Sequence, residues 1–348
     1  MVIPETSVIM SVFNTEAYLA QAIDSVLNQT YRDFEFIIVN DGSTDHTLNM
    51  LEEYKKKDDR IVLMDNRKNI GVAKSLNIAL NACRGKYVAR MDPDDISLPG
   101  RLLAQITYMN ANPDVGLLGS CVKSIDEKGR VTGAWAYPCD DLSIKWRLLF
   151  SNAFAHPSVV YKRGIVLGFG GYNEYIGSGI DFDLWVRMSA STRMHGLKEF
   201  LVLWRTHPES MTAKYGERRK KVYLSVIREH ISNYLGIVIS SKQAEELYRI
   251  ESGYSASTSQ DVAEISDLME DMYLKFMKKH AVRSAFSKNY LLSSMLVKNA
   301  AINVRRWPAA SMRLMSLAAT KYFSPRAFTE LSLYKSLALS IAGKVPVC

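Results

Sequence analysis

The stretch FEFIIVNDGSTDHTLNMLEEY, Phe34 to Tyr54, decides the fold. Phe34–Asn40 is an apolar run rich in aromatic and β-branched residues, which predicts a buried strand. Asp41–Asp45 supplies turn and N-cap chemistry. Leu48, Leu51 and Tyr54 then mark a helix. Strand, polar turn and amphipathic helix together make the repeating unit of an α/β sheet.

The unit recurs on both sides. Val8–Phe13 predicts a first strand, followed by a helix marked by Leu19, Ala22, Ile23, Val26 and Leu27. Ile61–Met64 predicts a third strand, followed by a helix marked by Val72, Leu76, Ala79, Leu80 and Cys83. Tyr87–Met91 predicts a fourth, and Pro99 suits the first turn of another helix. The alternation predicts a parallel sheet with helices on both faces. Ligands bind such sheets beyond the carboxyl ends of the strands. Asp41 and the cluster Asp92, Asp94 and Asp95 each follow a strand directly, so one crevice could hold them all.

Farther on, Val115–Val122, His156–Arg163 and Lys198–His207 read as strands, and Ile125–Val131 as a hairpin turn. Trp146–Phe150 reads as a short helix, Gly168–Gly179 as a glycine-rich loop, and Asp181–Ser189 as a helix with Asp181 near its start. After Ala213 the strand signals fade and long helical patterns begin, with Ser252–Asp261 as a polar linker. The expected division is 1–213 and a mainly helical 214–348.

The chain has 348 residues, 47% of them hydrophobic and 23% charged, ordinary proportions for a globular protein with a sizeable core. A net charge of +8 points to an anionic partner: nucleic acid, an acidic membrane surface or a phosphorylated small molecule. The bases gather beyond Ala281, where Glu330 is the only acid, while the crevice is acidic. A nucleic-acid binder would instead interleave bases and aromatics on its binding face, so no nucleic-acid partner is expected. The basic amphipathic tail fits a membrane surface, or helices that bury one another or a second copy, which leaves a homo-oligomer open. Cys83, Cys121, Cys139 and Cys348 form no CxxC pair, which speaks against zinc. The N-terminus lacks a basic region, and no apolar run reaches bilayer length. These features predict a cytoplasmic protein, peripheral at the inner face of the membrane.

Three crowded carboxylates repel one another unless something offsets their charge. A hard divalent ion takes carboxylate oxygens and shares substrate phosphates, so a cation is expected beside Asp92 and Asp94.

The segments SVFNTEAYLAQAIDSVLNQTYRDFEFIIVNDGSTDHT and NIGVAKSLNIALNACRGKYVARMDPDD resemble the family 2 glycosyltransferases, and the resemblance extends over residues 5 to 210. It implies a GT-A α/β sandwich with a mostly parallel sheet, followed here by a helical C-terminal region. It implies an inverting enzyme that uses Mn²⁺ or Mg²⁺ and a nucleotide-diphosphate sugar, with a UDP-sugar favoured. The implied acceptor is a hydroxyl of a glycan, lipid-linked, in surface polysaccharide (O-antigen or capsule) assembly. With neither membrane-spanning helices nor a QxxRW signature, single-sugar addition is favoured.

By position, the resemblance implies that Val12, Phe13 and Asn14 line the base pocket, with Glu16 nearby. Asp41 accepts a hydrogen bond from the base, and Lys74 contacts the diphosphate. Asp92, with Pro93, reaches the ribose or nucleotide. Asp94 and His207 hold the metal, and Asp95 supports the site or the sugar. Asp181 is the base, His156 contacts acceptor or sugar, and Asp183 gives support. Lys162 and Arg163 could assist the leaving diphosphate. The chain departs from the family pattern at Ile180, where a glutamate is usual, and at Lys74-Ser75, where arginine is common.

Two other readings are a nucleotidyltransferase acting on a sugar phosphate and a non-catalytic nucleotide-sugar binder. The first expects a glycine-rich phosphate loop after the first strand, and SVFNTEAYLAQ has no glycine.

Overall fold

Four strands build the first half of the sheet: β1 (Thr6–Val12), β2 (Phe34–Asn40), β3 (Ile61–Asp65) and β4 (Tyr87–Arg90). β1 and β2 are buried at every residue, as strands covered on both faces must be. Helices α1 (Glu16–Leu27), α2 (Thr47–Lys57) and α3 (Val72–Ala82) make the crossovers. β1 pairs in parallel with β2 and β4, and β2 with β3. Consequently the chain leaves β1, β2 and β4 along one edge.

In this computed structural model, residues 3–210, 216–251, 254 and 257–280 are described. These described residues divide into two compact units, one from residue 3 to Leu148 and from Asn152 to Tyr223, the other Leu149–Ser151 with those from Leu224 to residue 280.

The rest of the sheet comes from β5 (Ile96–Ser97), β6 (Val115–Ile125), β7 (Val131–Trp135), β8 (Val160–Lys162) and β9 (Arg193–Arg205). Between them lie α4 (Arg101–Ala111), α5 (Asp141–Leu148), α6 (Arg163–Gly168) and α7 (Ile180–Ser189). The strand order is β3-β2-β1-β4-β8-β6-β9-β5, with β7 paired to β6. β8 runs antiparallel to β4 and β6, and β9 is parallel to β6. The whole sheet is therefore mixed, with its parallel part concentrated in β1–β4. Antiparallel neighbours need no helical crossover, so the alternation that marks a parallel sheet says nothing about them.

The expected strand His156–Arg163 narrows to Val160–Lys162, because His156–Ser158 forms a 3₁₀ turn. Pro157 has no N–H to give a ladder. The short helix expected at Trp146–Phe150 is instead Asp141–Leu148, and β9 begins before Lys198. Lys162 sits opposite Tyr87 at the start of β4, whereas Asp92 follows the end of that strand. At about 3.3 Å per residue that is roughly 16 Å. The expectation that Lys162 and Arg163 assist a diphosphate beside Asp92 fails, since they occupy the opposite edge of the sheet.

The core of the first unit joins Val8, Met10, Phe36 and Ile38 of the strands to Leu19 and Ile23 of α1 and Leu102 and Ile106 of α4. The described part of the second unit is helical. It holds the end of α8 (Gly216–Leu235), then α9 (Ser241–Glu251) and α10 (Ser259–Lys279). The expected polar linker ends in a capping box, where Thr258 and Asp261 satisfy each other's backbone N–H groups at the start of α10. Val262, Ile265, Met269, Met272 and Phe276 form its buried stripe at helical spacing. No described helix is long and apolar enough to cross a membrane. The basic segment beyond Ala281 lies outside the described residues.

Candidate active site

β4 delivers the aspartates. Its chain turns after Met91, with Asp95 N–H donating to the Asp92 carbonyl at 3.4 Å. The next two residues pair with Val202 and Leu203 of β9, which sets the turn beside the end of that strand. There Arg205 donates through its backbone N–H to Asp95 Oδ1 at 2.7 Å and through Nε to the Asp94 carbonyl at 2.8 Å. Its Nη atoms reach the carbonyls of Asp126 and Glu127 and Gln21 Oε1. Two residues on, His207 Nε2 lies 2.9 Å from Asp94 Oδ2. The Tyr18 ring flanks both, with its centroid 4.6 Å from the Arg205 guanidinium carbon and 5.1 Å from the His207 ring.

Asp92 is paired with Arg90, whose side chain is 1% exposed. A third buried arginine, Arg101, donates to the carbonyls of Arg90 and Val159 and to Gln105 Oε1. Burial pushes Arg101 down to about 9, with Asp95 opposing and Arg90 adding, which leaves it charged at neutral pH. So the crowded carboxylates already face buried guanidinium groups. The compensation is incomplete. Burial pushes Asp92 up to about 6, with Arg90 opposing and the charges of Asp94 and Asp181 adding. Burial, with Asp94 and Asp92, also holds Asp95 well above the usual carboxylate range. Asp95 Oδ2 is buried and has no hydrogen-bond partner among the described residues.

Asp181 enters from α7, which begins on Gly179 at φ +70°. A Cβ there would lie 2.9 Å from Tyr223 Cε2, so glycine is required for both conformation and space. Burial raises the Asp181 pKa, opposed by the Phe182 backbone N–H and by Asn152, whose Nδ2 donates to Asp181 Oδ2 at 2.6 Å. Asp92 and Asp181 are near enough to feel each other's charge, which brings the β4 turn and the start of α7 into one neighbourhood. Asp183 instead receives Arg187 Nε at 2.9 Å, and Arg187 also binds the carbonyls of Phe169 and Gly171. It thereby supports the glycine-rich loop. His156 Nε2 lies 3.1 Å from the Tyr172 hydroxyl. Burial, with Arg90, drives its pKa well below the histidine range, so it is neutral.

The expected base pocket is divided. Val12 is a core residue with 0% exposure, and its carbonyl accepts the Asp41 N–H. Its side chain therefore lines no open pocket, a correction that follows from its place on the inner face of β1. Phe13 and Asn14 are exposed. Asn14, at φ 51°, bonds to Ser43 and Thr44 across the turns. Glu16 Oε2 accepts the His46 N–H. Asp41 is 2% exposed, and its carboxylate already accepts bonds from Asn66 Nδ2 and from the backbone N–H groups of Ile70 and Gly71. Its position is as expected, but its oxygens hold the loop before α3. Lys74 is exposed on α3, and Pro93 is half-buried between Asp92 and Asp94.

Sequence reasoning missed Arg90, Arg101, Arg205 and Asn152. For Arg90 a signal was present: a charged residue inside an apolar run requires a buried counter-charge. Nothing local marks Asn152, which lies 29 residues from its partner.

The model of the family "Glycosyl transferase family 2" matches residues 7–166. An uncharacterized glycosyltransferase of Haemophilus influenzae is 33% identical over 71% of this chain and 81% of its own length. The chain is a family 2 glycosyltransferase. The Escherichia coli O-antigen biosynthesis glycosyltransferase WbnJ is 37% identical to this transferase over 59% of the chain and 80% of its own length. Two solved structures share the GT-A fold at lower identity. Staphylococcus aureus TarS 1-349 with UDP matches at TM-score 0.55 and 20% identity, covering 91% of each chain. The Pyrobaculum calidifontis mannosyltransferase with GDP-Man and Mn²⁺ matches at TM-score 0.52 and 18% identity, covering 98% of this chain and 87% of that one. In this glycosyltransferase, then, the crevice beyond β1, β2 and β4 is the candidate active site.

Proposed function

We propose that this glycosyltransferase moves one sugar, with inversion, from a nucleotide-diphosphate donor, a UDP-sugar in the first instance, to a glycan hydroxyl on a lipid-linked acceptor in surface polysaccharide assembly. The observation that carries the reading is the convergence of Asp94 and His207 at 2.9 Å beside Asp92, whose charge Asp181 feels from the start of α7. The O-antigen relative supports the pathway class, and the TarS complex with UDP supports the donor class.

Phe13 and Asn14 face the base, and Asp41 serves the pocket through the loop that it fixes. Lys74 approaches the diphosphate from the start of α3. Asp92, steadied by Arg90, receives the ribose hydroxyls. Asp181 takes the proton of the acceptor hydroxyl as that oxygen attacks the anomeric carbon. Burial makes its carboxylate a stronger base than an exposed aspartate. Direct attack by that hydroxyl on the face opposite the leaving group gives inversion.

A divalent cation fits the residues present. Asp94 Oδ2 and His207 Nε2 converge, one hard oxygen and one imidazole. No cluster of three or more metal-binding side chains occurs among the described residues, so the remaining positions would fall to phosphate oxygens and water. Bound there, Mn²⁺ or Mg²⁺ would supply charge neutralisation for the departing diphosphate. The mannosyltransferase complex with Mn²⁺ supports this assignment. The catalytic part is taken as 1–213, with 214–348 as the region facing the membrane or a second copy.

A thermal-shift panel of UDP-, GDP- and dTDP-sugars, each with and without Mn²⁺, tests the reading. A UDP-sugar should raise the melting temperature by mass action, and only when Mn²⁺ is present. No stabilisation by any nucleotide sugar overturns it.

A further inference from the structure

We infer that Asn152 is a positioning residue for Asp181: its side-chain amide anchors one carboxylate oxygen at the start of α7 and thereby fixes which oxygen faces the acceptor hydroxyl. This rests on the reading of Asp181 as the base.

The orientation of the Asn152 amide follows from its neighbours. Phe154 N–H donates to Asn152 Oδ1 at 3.3 Å. A backbone N–H can be received only by the amide oxygen, so the NH₂ group is turned the other way, where it meets Asp181 Oδ2 at 2.6 Å. Arg147 Nε holds the Asn152 backbone carbonyl at 3.1 Å, so main chain and side chain are both fixed. This is the one side-chain hydrogen bond that Asp181 receives among the described residues. Ile180, the residue before it, is 5% exposed and offers no polar group. The start of α7 is itself confined by Gly179 against Tyr223. Carboxylate and amide thus meet between two segments that are each held in place.

Four other titratable groups share an electrostatic interaction with Asp181. Asp92, Tyr137 and Tyr172 approach from the β4 turn, the segment after β7 and the glycine-rich loop, and Arg219 from α8. Asp92 disfavours charge on Asp181, whereas Arg219, the backbone N–H groups and Asn152 favour it. A donor aimed at the charged form lowers a carboxyl pKa, so its removal raises it.

The test is a carboxyl ¹³C NMR titration of the full chain labelled at aspartate. Asp181→Asn identifies the Asp181 signal by its loss. Asn152→Leu and Asn152→Ser are titrated beside the wild type. Leucine removes the donor, and the serine hydroxyl is too short to span the gap, so either folded variant decides the matter. The Asp181 midpoint should move up by about one pH unit in both. A residue with a merely structural role would lower the melting temperature and leave the midpoint in place, and an unmoved midpoint overturns the inference. The two readings fail separately. If Asp181→Asn retains sugar transfer, the base assignment falls and the inference with it, whereas an unmoved midpoint with an inactive Asp181→Asn removes only Asn152.

Discussion

The aspartates after β4 are expensive neighbours, and the chain meets the cost with arginines that it buries completely. Arg205 shows how tightly. Its backbone N–H and guanidinium join the aspartate turn, the β6–β7 hairpin and α1. Arg205→Met keeps the packing and the backbone bond to Asp95 but leaves the acceptors of the guanidinium unpaired, so stability should fall by about 3–5 kcal/mol in urea unfolding. Asp181→Asn is the opposite kind of change. It keeps the shape and one acceptor oxygen but cannot take a proton. Transfer should drop by roughly 10²- to 10⁴-fold, with the donor dissociation constant nearly unchanged in calorimetry. Lost donor binding would show that Asp181 belongs to the donor site instead. Aspartates followed by a histidine could be found by spacing and family likeness. Of their buried partners only Arg90, set in an apolar run, left a signal; Arg205 left none, because it joins segments as much as 184 residues apart.

Among the elements, β1, β2 and β4 were legible because burial on both faces leaves a largely apolar run in each, and the edge strand β3 was legible from its run Ile61–Met64 although it is only partly buried. β5, β7 and α6 were not. β5 is two residues long, β7 is largely exposed, and α6 is a short helix, so none carries a full period of hydrophobic pattern. The parallel half is fastened at its lower end by Glu35 of β2. Its carboxylate accepts from Ser7 Oγ on β1 and from both the backbone N–H and the Nε of Arg84, just before β4. Burial pushes the Glu35 pKa up, but these donors outweigh it and hold it below the usual glutamate value. A lowered folded pKa gives stability that is present above the unfolded pKa and lost as pH falls through the folded one. Glu35→Gln should therefore cost about 1–2 kcal/mol at neutral pH, with the gap to wild type closing below about pH 4 in parallel urea melts.

Across the whole chain, pH should act most plainly through buried histidine. In the second unit, burial with help from Lys279 pushes His230 down to about 4, and its Nε2 has no hydrogen-bond partner among the described residues. The unfolded chain takes up a proton near pH 6.5 that the folded chain refuses. Stability is thus full above that value and falls with pH below it, by up to about 3 kcal/mol from this one group. His230→Leu should flatten that slope in melting curves taken between neutral and mildly acid pH. His156 adds a loss of the same sign in the first unit.

The glycine-rich loop before α7 is pinned at Tyr172, whose backbone N–H and carbonyl are both held by the Asn77 side chain and whose hydroxyl meets His156 and Tyr161. Any swing of this arm therefore has its pivot at Tyr172 rather than at the glycines behind it. Beyond Tyr172, Glu174 is bonded to the same Asn77 and Ser178 is buried, so the loop is fastened on both sides of Tyr175, which stands out at 97% exposure.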